Sequence, residues 1–190
     1  MKTRMFILGI AVFCLAGCLV PSLHPLYNEN DKLVITELAG DWTTEDGDAL
    51  WLFQAEPDSS YALAYVESND TSWFVTHLLK LGDDFFMDMY PDPSDVLSDA
   101  YKEHLIGAHT FSRIELDSTG LTISVLDSEW LQKQIESGQL TIAHEQLGPG
   151  DLVLTATTED LQTFVKSIAR DSLAFASIQL VKIAPPDDSI

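Results

Sequence analysis

Trp73-Phe74-Val75-Thr76-His77-Leu78-Leu79-Lys80 and, beyond the turn Gly82-Asp83-Asp84, the run from Phe85 to Tyr90 read as two strands of a hairpin. Side chains two apart share a face of a strand. Trp73, Val75, His77 and Leu79 therefore stand on one side, and Phe74, Thr76, Leu78 and Lys80 on the other. The same grammar extends outward in both directions. Ala49 to Gln54 follows the turn Glu45-Asp46-Gly47-Asp48, and Tyr61, Leu63 and Tyr65 line one side of the next strand. Ala108 to Leu116 and Leu121 to Leu126 flank Asp117-Ser118-Thr119-Gly120, a good hairpin connection. Asp41 to Thr43 supplies a first strand, and Leu152 to Ala156 and Ile178 to Ile183 supply late ones. About eight or nine short strands with mostly short connections predict a mainly β fold, an antiparallel barrel or sandwich of about eight strands.

Two helices interrupt this pattern. Asp127-Ser128-Glu129 precedes Trp130 and Leu131, with Ile135 at helical spacing and Gly138 as a stop. Thr157-Thr158-Glu159-Asp160 offers a cap and an acidic first turn. Leu161, Phe164, Val165 and Ile168 then recur at three and four residues, and Lys166 and Arg170 suit the far end of the dipole. This second helix is expected to lie against the barrel or to close one of its mouths.

The chain has 190 residues, enough for one ordinary domain. With 10 basic and 30 acidic residues its formal charge is −20. Such a surface repels phosphate backbones and anionic headgroups, which excludes nucleic acid as a partner class. It also favours a solvated, self-repelling monomer.

The N-terminus has its own grammar. Lys2 and Arg4 precede an apolar run from Met5 to Ala16. That run has about twelve residues, whereas a spanning helix needs about 20, so its length is that of a signal peptide. The run ends in Leu15-Ala16-Gly17-Cys18, which resembles the lipobox of bacterial lipoproteins. The resemblance implies a diacylglycerol thioether on Cys18, cleavage just before it, and an N-acyl chain on the new amine. No further cofactor is expected. Of the two cysteines, Cys14 lies in the leader, so the mature chain keeps one and cannot form an internal disulfide. Two or three acyl chains on one residue hold firmly without a transmembrane helix, since each buried methylene contributes roughly 0.8 kcal/mol. Leu19, rather than Asp, after the cysteine implies the periplasmic face of the outer membrane where the source has two membranes.

The expected organisation is a leader over 1–17, a lipidated N-terminus and tether over 18–36, a single barrel-like domain over 37–184 and a tail over 185–190. Pro21 and Pro25 forbid a regular helix in the tether. About 20 extended residues at roughly 3.3 Å each would reach at most about 65 Å. Alternatively, Leu23, Leu26 and Tyr27 pack back on the body.

Leu38-Ala39-Gly40-Asp41-Trp42 resembles the Gly-x-Trp start of lipocalins and related calycin barrels, which implies that Trp42 packs across one barrel end. The helix before the late strands departs from simple lipocalin order. Pro21-Ser22-Leu23-His24-Pro25-Leu26-Tyr27, Gly40-Asp41-Trp42 and His109-Thr110-Phe111 resemble a family of uncharacterised bacterial lipoproteins. That resemblance implies no activity.

No motif carries chemistry. His-Glu-x-x-His, Gly-x-Ser-x-Gly and glycine-rich phosphate loops are absent. Aligning Gly47 with a calcium-loop glycine puts Trp42, Thr44 and Phe53 at ligand places, which fails. Asp92, Asp95 and Asp99 read as a solvated turn, and no metal site is expected. His77 and His109 stand in strands and are read as hydrogen-bonded structural residues that could point inward. Trp51, Tyr65, Trp73 and Phe85 are the candidate lining of a ligand cavity, weighed against a packed core. The functional expectation is a membrane-anchored, non-enzymatic envelope module binding a small apolar molecule or a protein partner. The alternatives are an accessory lipoprotein with a filled barrel and, last, a hydrolase-type enzyme with an acidic or histidine site.

The lipobox reading has a direct test. Mass spectrometry of the mature N-terminal peptide is expected to find a lipidated Cys18. Cys18→Ser is expected to abolish that mass and leave the protein released or uncleaved. An unmodified wild-type peptide starting elsewhere refutes the reading.

Overall fold

The structure is a computed structural model that describes residues 19–68, 70–92, 105–148 and 150–184. The expected leader and lipidation site, residues 1–18, as well as Asp95, Asp99, His104 and the expected tail over 185–190, lie outside the described residues.

The strands are β1 (Lys32–Leu33), β2 (Gly40–Thr44), β3 (Ala49–Ala55), β4 (Tyr61–Glu67), β5 (Asp70–Leu81), β6 (Asp84–Pro91), β7 (Thr110–Leu116), β8 (Leu121–Leu126), β9 (His144–Gly148), β10 (Asp151–Leu154) and β11 (Phe175–Lys182). The helices are α1 (Ser128–Glu136) and α2 (Thr158–Ile168). β2 to β8 form an antiparallel meander, and β11 returns between β8 and β2. β5 also pairs with β6, from Phe74 opposite Pro91 to Leu81 opposite Asp84. The sheet thus closes on itself as an antiparallel barrel of 8 strands. β1 adds to the far half of β5, beyond the part that β4 occupies.

Leu152 to Leu154 is a strand but not a barrel strand. β10 pairs only with β9, in a separate hairpin between the helices. The segment from α1 to α2 is therefore an insertion between the last two barrel strands. Both helices start where capping chemistry dictates. The Asp127 carboxylate accepts from the Trp130 amide, and the Thr157 hydroxyl accepts from the Asp160 amide.

Two apolar layers share the barrel wall. Inward-facing Trp42, Trp51, Phe53, Tyr61, Leu63, Leu78, Met87 and Ile123 fill the barrel. Outward-facing Leu79, Leu81, Phe86, Phe111 and Leu126 form a second core with Leu131 of α1, Leu152 and Leu154 of β10, and one face of α2. α2 buries Leu161, Phe164, Val165 and Ile168, so it lies on the outer wall rather than across a mouth. The segment before β1 belongs to the same layer. Val20 and Leu26 are buried there and Tyr27 packs beside them, so Pro21 to Thr36 runs on the body as a strap and not off it as a free tether.

Trp42 holds one barrel end. It is 2% exposed, and its indole N–H donates to the Leu38 carbonyl at 2.8 Å. A three-residue 3-10 turn, Thr36–Leu38, thereby seats Leu38 inside the barrel as a plug. The Lys182 ammonium lies 5.0 Å above the indole ring and donates to the Glu37 carbonyl at 2.7 Å. Gly40 makes room for this stack. Its φ is +126°, and a Cβ there would press on Lys182 Cε at 2.9 Å.

Replacing Trp42 with Ala is expected to cost about 3–5 kcal/mol, the range for large aromatic truncations in cores. Chemical denaturation of the chain from Leu19 onward measures it. A loss under about 1 kcal/mol would contradict the role of Trp42 as the barrel-end anchor.

Candidate functional site

A cleft of about 850 Å³ opens beside that plug. Trp42, Phe85, Ile114 and Leu116 give it an apolar floor, and Ile35 and Val181 add apolar walls. Glu37, Lys182 and the β7–β8 turn, Asp117 to Gly120, form its polar rim. Strand ends place three of these groups. Phe85 lies one residue into β6, Leu116 ends β7 and Lys182 ends β11.

The turn is rigid. One Asp117 carboxylate oxygen accepts from the Thr119 amide at 2.7 Å, the Thr119 hydroxyl at 2.6 Å and the Gly120 amide at 3.3 Å. The Thr119 hydroxyl, then the Thr119 amide, hold its carboxyl below the usual carboxylate range, so Asp117 stays ionised. Gly120 has φ +155°, and any Cβ there would collide with the Leu180 carbonyl oxygen. The turn is thus pinned against β11. The Lys182 ammonium is held by the Glu37 carbonyl and the Trp42 ring, and Lys80 rests its ammonium 5.1 Å from the Phe85 ring.

The four candidate lining residues fall in three places. Trp51 and Tyr65 pack edge to face at 4.9 Å, Trp51 among the buried residues inside the barrel and Tyr65 against them. Trp73 stands on the outer face and is 44% exposed, because Phe74, Thr76 and Leu78 take the inner positions of β5. Phe85 lines the cleft. Sequence reasoning did not single out Glu37, Leu116, Val181 or Lys182 for this site. Each sits at a strand end or junction, where the two-residue period is silent.

A second polar cluster lies under the strap. Asp88, on the outer face of β6, is fully buried. One carboxylate oxygen accepts from the Leu26 amide at 2.7 Å, and the other bonds His109 Nδ1 at 2.7 Å. Tyr90 packs against the His109 ring at 4.6 Å, and Tyr27 stacks on His77 at 4.3 Å. Both histidines thus face outward beneath the strap, not into the barrel. Burial pushes His77 below its ordinary value, with Lys32 acting in the same direction. An aspartate–histidine pair is half of a catalytic triad, but among the described residues no hydroxyl or thiol bonds the His109 ring. Among the described residues no three carboxylates, histidines or cysteines converge in a way that could hold a metal ion. The geometry is that of a latch, which satisfies a buried carboxylate and pins the strap.

Asp88→Ala leaves the buried Leu26 amide and the His109 ring without their acceptor. At about 1.5–3 kcal/mol for a hydrogen bond to a charged group, a loss of about 3 kcal/mol is expected. Amide exchange at Leu26 is expected to accelerate together with that of Ser22 and Leu23. Unchanged protection of these amides would show that the latch does not hold the strap.

Comparison with protein-family models, with curated proteins and with solved structures found no match for this chain.

Proposed function

We propose that this chain is a lipid-anchored lipoprotein of the cell envelope whose barrel binds a small apolar or amphipathic molecule in the cleft at its plugged end. The cleft itself carries the reading. Its volume falls in the range of small-molecule sites, about 300–1,000 Å³, and its floor is apolar with a few polar groups on one rim. The lipobox Leu15-Ala16-Gly17-Cys18 supports the anchor. Among the described residues no helix is long and apolar enough to cross a membrane.

The charge of the ligand follows from the field around the site. The rim holds Glu37 and ionised Asp117 against a Lys182 already engaged, and the chain as a whole carries −20. Neutral or cationic amphiphiles are favoured over anionic ones of equal size. A second reading, an accessory lipoprotein without a ligand, draws support from the filled barrel interior.

Titrating matched neutral, cationic and anionic fluorescent amphiphiles against the unlipidated chain from Leu19 onward tests the proposal. Saturable binding of the first two is expected, with the anionic probe weaker and the gap narrowing as salt rises. Phe85→Ala or Leu116→Ala is expected to weaken binding about tenfold, the equivalent of about 1.4 kcal/mol of lost apolar contact. Absence of saturable binding by every probe would favour the accessory reading. Tighter binding of the anionic probe would overturn the charge argument.

A further inference from the structure

The strap has no slack at its start. The Ser22 amide donates to the His109 carbonyl and the His109 amide to the Ser22 carbonyl, each at 2.8 Å. The Leu154 amide donates to the Pro21 carbonyl at 2.8 Å, and the Leu23 amide to the Leu154 carbonyl at 2.9 Å. Four backbone hydrogen bonds therefore clamp residues 21–23 between the start of β7 and the end of β10. Val20 is already buried in the outer core, to which Leu152 also belongs. Cys18 is three residues before Pro21, and three extended residues span at most about 11 Å.

The direction of the strap also matters. Ser22 runs parallel to β10, opposite Leu154. That parallel register directs Val20 toward Leu152 and Leu19 toward Asp151, at the base of the β9–β10 hairpin tip. On that tip Leu147 is 71% exposed, and Leu19 is 38% exposed. Gln146 stiffens the tip by donating to the Gly148 and Asp151 carbonyls at 2.6 and 3.0 Å.

We infer that the β9–β10 tip, with Leu147 and Leu19, is a membrane-contacting surface that seats in the headgroup layer of the bilayer holding the anchor. The inference rests on lipidation at Cys18. An anchor within about 11 Å of a clamped strap leaves no tether, so the nearest exposed apolar side chains meet the lipid interface. The bilayer fitted by this surface is a zwitterionic one, since Glu145 and Asp151 flank the tip and repel anionic headgroups. The strap runs against β7 at His109 and along β10 at Leu154, so the tip lies from the clamp toward the Leu116 end of β7. β5 runs in the direction of β7, so the β4–β5 turn, with exposed Glu67, lies at the opposite end of the barrel.

The mature chain has no cysteine besides Cys18, so a second cysteine can be labelled alone. Lipidated Leu147→Cys and Glu67→Cys proteins, each carrying a nitroxide, are reconstituted in phosphatidylcholine vesicles. Collision of the nitroxide with oxygen and with a water-soluble nickel chelate then reads its depth. At position 147 oxygen collisions are expected to dominate, and at 67 nickel collisions. Both side chains are exposed, so the labels leave the core untouched. Vesicle flotation separates the two ways of failing. A protein that floats while the label at 147 stays in water, or while the label at 67 enters lipid, overturns the inference and leaves the anchor standing. A protein that does not float and has an unmodified N-terminal peptide removes the anchor, and the inference with it.

Discussion

The wall made by β5 to β8 carries apolar groups on both faces, and one layer cannot bury both. Leu78, Met87 and Ile123 point into the barrel, while Leu79, Phe86 and Leu126 point out. Barrel closure buries the first set. The second set needs an outer cover, and the chain supplies it from three places: the strap before β1, the hairpin β9–β10 and the two helices. An eight-stranded meander alone would leave that face wet. This is why an insertion stands between β8 and β11, and why the segment before β1 lies on the body. Asp88 shows the same constraint from the polar side. A carboxylate in this covered layer is tolerated because the Leu26 amide and the His109 ring complete its shell. The bond that satisfies the charge also fixes the cover.

Legibility in the sequence follows the same division. β3, β4 and β6 to β8 were readable because a clear apolar run or alternation met a turn at each end. The Asp127 and Thr157 caps announced both helices. The face of Trp73 was not readable. Val75, His77 and Leu79 on its side are as apolar as Phe74, Thr76 and Leu78 opposite, since both sides of β5 are covered along much of its length. β1 has two residues and no period, and β9, with the sequence His-Glu-Gln-Leu-Gly, shows neither alternation nor an apolar run. Leu152 to Leu154 looked like barrel material because a strand buried in an outer layer has the composition of one buried in the barrel. One signal of the latch was present: Asp88 is an acid in the middle of Phe-Phe-Met-Asp-Met-Tyr, and a charge at such a place needs partners.

The cleft is a consequence of how short the plug is. Eight strands about 4.8 Å apart, tilted as in small closed barrels, enclose a ring about 15 Å across between backbones. The 3-10 turn Thr36–Leu38 rises about 2.0 Å per residue and so spans about 6 Å. It seats Leu38 and covers part of the opening. The uncovered part has Trp42 on one side and the Asp117–Gly120 turn on the other. Lys182 braces the first side through Trp42 and the Glu37 carbonyl, and Gly120 sets the second against Leu180, so the rim needs no ligand to form. Preorganisation of this kind lowers the ordering cost of binding. Of this arrangement, Trp42 and Phe85 were visible in the sequence. The remainder comes from strand ends that meet only when the barrel closes.

The proposed anchor and the charge of the body oppose one another, and their ranges decide the outcome. Without Lys2 and Arg4, which the proposed cleavage removes, 8 basic and 30 acidic residues leave a body of −22, repelled by anionic headgroups at about 1 kcal/mol per charge at the surface. Screening confines that repulsion to about 8–10 Å, so only acids near the anchored end contribute to it. Two or three acyl chains on one residue outweigh a few such charges. Of the acids on the hairpin, Glu145 and Asp151 lie close enough to count. The inferred orientation turns the hairpin toward the lipid and the β4–β5 turn away from it. A clamped strap makes this orientation persistent, because a free tether of about 20 residues would let the body turn over and a link of three residues does not.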